Sequence, residues 1–274
     1  MTLRRLMLGK SLERWRESAG VTRADIAAEL GCTPDRVRHL ESGRNTPSRP
    51  DLIVMCSVYG VPEDEREVLL TTRSEAQKPG WWQTHRLPKW LANYVTLESE
   101  ATRVRNWEAE LIPGLLQTEA YARRVAMGDP SASDAEVDKR VAARMRRQDR
   151  LTAKDDPLNL VAVVSESAIQ RCAAERDLAD DQLAHLINAA NLPHVSIRVM
   201  PMDSGIHQAM AGGFVLLNFP ADTWPETGHQ EYNVGGHLVD DHEAVQSLAT
   251  LFDGLQERAL SEHDTAHLLA QYTR

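Results

Sequence analysis

Residues Thr22–Gly43 read TRADIAAELGCTPDRVRHLESG, and their spacing decides the fold of the N-terminal part of the chain. Thr22 can cap a helix, with Asp25 three residues on as its reciprocal capping partner. That helix, roughly 23–30, turns Ile26, Ala27 and Leu30 to one side and stops at Gly31, where left-handed backbone geometry suits glycine. Thr33 caps a second helix whose first position is Pro34, where a missing N–H costs nothing. Val37 and Leu40 must face inward on it, and Gly43 follows as a stop. Two short helices about a tight glycine turn predict a helix-turn-helix, whose second helix can lie in a DNA major groove. Asp35, Arg36, Arg38 and His39 are left on the outer side. Arginine reads guanine O6 and N7 through a two-toothed bond, whereas Asp35 accepts from cytosine N4, caps the helix or is solvated. Thr22 and Arg23 open the first helix, where amides and a guanidinium suit a phosphate oxygen. Arg44, Asn45 and the cap Thr33 are placed for phosphate, which fixes register without reading sequence.

The flanking sequence extends this unit to five helices. Leu8, Leu12, Trp15 and Ala19 recur at helical spacing before Gly20. Pro50 opens a fourth helix with Leu52, Ile53, Met55, Cys56 and Tyr59, and Val61-Pro62-Glu63-Asp64 starts a fifth with acids at the favourable end of its dipole. An all-α domain over 1–75 follows. The whole chain, 274 residues, carries a net charge of −9, which by itself argues against a polyanionic partner. Charge is unevenly placed, however: residues 1–49 hold ten Lys/Arg against six acids, and residues 76–274 hold 19 basic against 28 acidic residues. A basic module on an acidic body is the pattern of a nucleic-acid reader. The opening residues place Lys10 where a secretion signal needs its apolar run, and no uncharged apolar stretch is long enough for a membrane span. Cys32, Cys56 and Cys172 are few, odd in number and far apart, which suggests reduced thiols and a cytoplasmic setting.

Residues 76–89, with Pro79-Gly80 and Trp81-Trp82, read as a linker. The tryptophan pair suits either a stacking platform for single strands or, preferably, docking of one domain on another. From 90 to 274 the pattern predicts an α+β domain, a small sheet covered by helices. Helical runs are expected over about 90–110, after Ile112-Pro113-Gly114, and over about 134–151. The third carries Arg140, Arg144, Arg147 and Arg150 along one side, either touching DNA outside the groove or, preferably, as a solvated or acid-paired face. Strands are expected at Leu158–Val164, Val195–Met200 and Gly213–Phe219, with Glu231–Val234 a weaker fourth. A helix with Leu183, Leu186 and Ile187 separates the first two strands, and helices over about 241–260 and 261–273 close the chain.

No catalytic constellation emerges. His263 and His267 are four apart, but Glu262 precedes the pair instead of lying between them, so the H-E-x-x-H zinc arrangement fails. His237, Asp240, Asp241 and His242 offer ligand types in a turn and are better explained as solvated residues. Ser165-Glu166-Ser167 lacks the G-x-S-x-G elbow of an esterase. Neither a phosphate-loop nor a dinucleotide glycine pattern occurs, so no enzyme activity, metal or cofactor is expected.

The segment RVRHLESGRNTPSR, with Thr22–Gly31 before it, resembles the Xre-type helix-turn-helix. Downstream, GWW, LESEATRVRNWEAELIPGLLQTEAYARRV, RVAARMRRQDRL, VVSESAIQR and HVSIRVMPMDSGIHQAMAGGFVLLNFP resemble a large family of transcription regulators of high-GC Gram-positive bacteria. Its members join an Xre module to a C-terminal domain of unknown function. The resemblance covers nearly the whole chain and implies DNA-facing roles for Arg23, Thr33, Asp35, Arg36, Arg38 and His39. Pro34 and Asp35 stand where related repressors commonly place amides, which leaves the bases read unassigned. It also implies an antitoxin-like character and a small partner protein encoded nearby. Together these features suggest a sequence-specific regulator of double-stranded DNA. One module reads too few base pairs for genomic specificity, so a homodimer on a palindrome is the physical expectation. The acidic C-terminal domain would then supply the dimer contact, the partner site or a pocket for a small effector. The alternative is an antitoxin-like interaction protein that neutralises its partner, with DNA binding only for autoregulation.

Overall fold

A computed structural model describes residues 3–76, 87–220, 224–233 and 235–273. The chain divides into two compact units between residues 83 and 84. Trp81, Trp82 and most of the expected linker lie outside the described residues.

The first unit holds five helices: α1 Leu3–Ser18, α2 Arg23–Glu29, α3 Pro34–Glu41, α4 Arg49–Tyr59 and α5 Glu63–Ala76. Thr22 caps α2 through the reciprocal box with Asp25, and Thr33 caps α3 with Pro34 at its first position. Helix α4 starts at Arg49, one residue before the expected Pro50, and Ser48 caps it by accepting from the Asp51 amide. Leu8, Leu12, Ile26, Val37, Leu40, Leu52, Met55 and Leu69 share one core. Their helical spacing explains why each helix turns one side inward. Close backbone approach sets the angle between α1 and the end of α3. A Cβ on Gly9 would stand 2.3 Å from the Glu41 carbonyl oxygen, and one on Gly43 would stand 2.7 Å from that of Arg5. Gly43 also has φ +67°, which a side chain disfavours.

The second unit is a six-stranded sheet with helices on both faces. Its elements are α6 Lys89–Glu100, β1 Arg103–Glu108, α7 Glu119–Met127, α8 Asp134–Gln148, β2 Asn159–Ser165, α9 Glu166–Ala174, α10 Ala179–Ala189, β3 Val195–Met200, β4 Phe214–Asn218, β5 Thr227–Tyr232, β6 Gly235–Val239, α11 His242–Arg258 and α12 Glu262–Tyr272. Short 3₁₀ turns lie at Gly114–Leu116, Met202–Ser204 and Gln208–Ala211. The strand order is β3-β2-β1-β4-β5-β6. β1, β2 and β3 run parallel, and β4, β5 and β6 join antiparallel. Trp107 lies opposite Val163 on one side and Phe214 on the other. These three pack with Phe252 and Leu255 of α11, and the buried indole donates to the Ala209 carbonyl at 2.8 Å.

Three expectations change here. The helical run over 90–110 breaks at Glu100, and residues 103–108 form a central strand. Its polar residues are paired inside the fold. Arg105 lies over the Phe252 ring and pairs with Glu226 and Asp253, and Asn106 donates to the Phe214 carbonyl. The weaker strand at Glu231–Val234 is the end of a hairpin instead: Glu231 and Tyr232 finish β5, β6 begins at Gly235, and Val234 lies outside the described residues. Between β2 and β3 there are two helices, not one, because Ser165 caps α9 and Ala168, Ile169 and Cys172 give it a buried side. No helix among the described residues is long and apolar enough to cross a membrane. All three cysteines are free.

Gly43→Ala is expected to destabilise the first unit by about 1–3 kcal/mol, since it combines positive φ with a backbone clash. A lowered urea midpoint at unchanged slope checks it; an unchanged midpoint would show that α1 can retreat from α3 freely.

Candidate nucleic-acid interface

α2 and α3 meet through Gly31, at φ +60°, with the Cys32 amide bonded back to the Ala27 carbonyl at 2.8 Å. This closes the turn and lets Ile26, Val37 and Leu40 share the core while the other edge of α3 faces water. Thr33, Asp35, Arg36 and Arg38 are exposed and His39 is half-buried.

The outer edge is internally paired. Arg36 donates to Asp51 of α4 at 2.6 Å, and that carboxylate raises the pKa of the guanidinium. Arg38 reaches Asp35, one turn earlier, at 3.1 Å. Arg44 lies 3.2 Å from the His39 ring, and the Asn45 amide donates to the His39 carbonyl at 3.0 Å. The Thr33 hydroxyl accepts from the Arg36 amide. Both outer arginines carry exposed side chains, so a duplex that offers a guanine edge or a phosphate competes with a neighbouring carboxylate for each.

Thr22 and Arg23 stand differently. The Thr22 hydroxyl donates to Asp25 at 2.6 Å and accepts from its amide, which holds the Asp25 carboxyl below its usual range. The Arg23 guanidinium points inward, donating to Glu41 at 2.6 Å and Glu13 at 2.7 Å. Arg16 of α1 donates to the other Glu41 oxygen at 2.5 Å and to the Val21 carbonyl at 3.1 Å. Glu41 is 1% exposed and Arg16 7% exposed. One buried carboxylate therefore ties α1, α2 and α3 together, and its hydrogen bonds raise both guanidinium pKa values. The support residues Arg16, Glu41 and Asp51 were missed in the sequence. Glu41 did carry a signal, because an acid in the last turn of a helix opposes the dipole and calls for a cation.

The other singled-out residues serve the second unit. Asp241 caps α11 and Ser165 caps α9. His263 and His267 face each other with ring nitrogens 3.2 Å apart, and the described residues hold no group of three or more metal-ligating side chains. Along α8, Arg140 pairs with Asp129, Arg144 donates to Gln117, Arg147 pairs with Glu98, and Arg150 donates to the Ala101 carbonyl.

A capped helix pair about a left-handed glycine, with an exposed polar edge on the second helix, defines a helix-turn-helix DNA-binding module. The comparisons agree: residues 7–69 match the helix-turn-helix domain family. Residues 91–271 match the domain of unknown function DUF5753, and the chain belongs to that family. No curated protein matches the chain. Among solved structures, the crystal structure of ComR from Streptococcus suis is similar at 12% identity, covering 67% of this chain and 69% of that one. Its TM-score of 0.19 is too low to bear on fold or function.

Glu41→Gln removes the buried counter-charge of Arg16 and leaves Arg23 only Glu13, and is expected to cost about 3 kcal/mol. Thermal or urea unfolding measures it; a loss below about 1 kcal/mol would show the triad to be dispensable.

Proposed function

We propose that the protein is a cytoplasmic, sequence-specific transcription regulator that binds double-stranded DNA as a homodimer, with α3 as the reading helix. The observation that carries this is the exposed edge of α3, where Arg36, Arg38 and His39 stand clear of a core built by Val37 and Leu40. Thr33, Arg44 and Asn45 flank that edge at its two ends and serve phosphate, with the exposed Thr22 beside them. Arg23 is reassigned in this reading to hold Glu41, positioning α3 instead of touching the duplex. Two copies would set their α3 helices about 34 Å apart to meet successive major grooves. The second unit then acts as receiver, not catalyst: occupancy by an effector or partner changes that separation and weakens operator binding.

A second reading, an antitoxin-like protein that neutralises a small partner, draws on exposed apolar side chains after β3. Met202, Ile206 and Met210 are 60%, 94% and 57% exposed. Such residues suit a protein contact. A stable complex on pulldown, together with rescue of cells that express the partner, would favour it.

Genome-wide mapping of bound DNA tests the first reading, since a recovered palindrome gives both half-site and symmetry. Arg38→Ala is expected to cost about 1–3 kcal/mol on the cognate site and relax choice at one base. Arg44→Ala should weaken binding evenly across sequences and lower the salt slope by about 1. Binding untouched by either change would show that the assigned edge is not the reading edge.

A further inference from the structure

The last helix of the second unit carries a pair of side chains that the fold does not use. α12 is fixed from its inner side. Thr265 and Leu269 are 2% and 1% exposed, and the Thr265 hydroxyl accepts from the Val199 amide of β3 at 3.0 Å. The chain just before α12 is tied to the same residue, since the Leu260 amide donates to the Val199 carbonyl at 2.9 Å. His263 and His267 each precede one of those buried residues by two positions, about 200° round the helix. Both therefore stand on the outer side, and both are exposed.

A separation of four residues sets one ring above the other. The ring centroids are 4.5 Å apart with their planes at 74°, yet the two Nε2 atoms are only 3.2 Å apart. The rings thus converge at their Nε2 ends and not along their faces. Two metal–nitrogen bonds of about 2.0–2.1 Å meeting at a tetrahedral angle span about 3.3 Å, close to this spacing. The competing use is a hydrogen bond between the rings. It needs a proton on one Nε2 and a bare lone pair on the other, and 3.2 Å is at the long limit for such a bond. Between exposed rings it gains little over hydrogen bonds to water. A metal ion takes the place of the shared proton, with each ring keeping its own proton on Nδ1.

The carboxylates beside the pair are engaged elsewhere. Glu262 accepts from the Ser196 hydroxyl, and Asp264 accepts from the Ser261 hydroxyl at 2.6 Å. The donor set is therefore two imidazole nitrogens, which suit zinc, nickel and copper, whereas magnesium and calcium call for oxygen. We infer that His263 and His267 chelate one divalent transition-metal ion of the zinc, nickel and copper class on the outer side of α12. The described residues bring no third metal-ligating side chain to the pair. Water fills the other positions, so the ion exchanges with its free pool instead of being locked into the fold as in a closed structural site. This site goes beyond the regulator reading and does not depend on it.

Calorimetric titration of the tag-free full chain with ZnCl₂, NiCl₂ and CuCl₂, and with MgCl₂ as the contrast, is the test. One ion per chain is expected to bind, saturating below about 1 mM, with Cu²⁺ tightest and Mg²⁺ not binding. Binding displaces protons from imidazole, so affinity should fall as the pH is lowered. His263→Ala and His267→Ala should each weaken binding about tenfold or more, because a chelate loses the joint hold of two rings. Both positions are exposed, so the metal-free melting temperature is expected to hold. Rings that act singly behave otherwise: each variant then drops one site and leaves the affinity of the other unchanged. That result would overturn the proposal. So would the absence of saturable binding with all three ions, or a double variant that binds as the parent does through its remaining histidines.

Discussion

The Glu41 carboxylate, out of water and held between Arg16 and Arg23, fixes how the first unit presents α3. A lone ion at that depth would cost several kcal/mol, so the two guanidiniums must be in place before α3 can seat. The same two contacts bind α1 and α2, so the angle of α3 is set by one acid and not by apolar packing alone. Gly9 and Gly43 complete the constraint by letting the α1 backbone touch the end of α3.

β1 plays the corresponding part in the second unit. It pairs with β2 in parallel and β4 in antiparallel, so both halves of the sheet hang from it. Its alternate residues serve opposite faces. Arg105 and Trp107 pack towards α11, and Asn106 and Glu108 lie on the other face, where the Asn106 amide donates to Glu108. One six-residue strand therefore joins both halves of the sheet and serves both of its faces.

The helix-turn-helix was legible because its signals are local. Thr22, Asp25, Gly31, Thr33, Pro34 and Gly43 each act within four residues of their own position, and the apolar spacing agrees with them. The parallel strands β2 and β3 were legible as apolar runs. β1 was not, since residues 103–108, polar at Arg103, Arg105, Asn106 and Glu108, fall inside the expected helical run over about 90–110. Only partners more than a hundred residues away, Glu226, Asp253 and Phe214, make Arg105 and Asn106 fit a buried strand. The exposed edge of α3 could be listed residue by residue from spacing, but its pairings could not: Arg36 meets Asp51 from α4, and Arg23 turns inward to an acid eighteen residues on. Long-range electrostatics leaves no periodic trace.

The Asp35–Arg38 and Asp51–Arg36 pairs bear on how such a protein would travel along a chromosome. A fully bare cationic edge clings to any stretch of phosphate and lingers there. With each guanidinium already occupied, random duplex gains little by displacing a carboxylate, whereas a guanine edge presenting two acceptors gains more. In a protein that meets DNA with this edge, such self-pairing would shorten residence on the wrong stretches and favour rapid scanning over indiscriminate sticking.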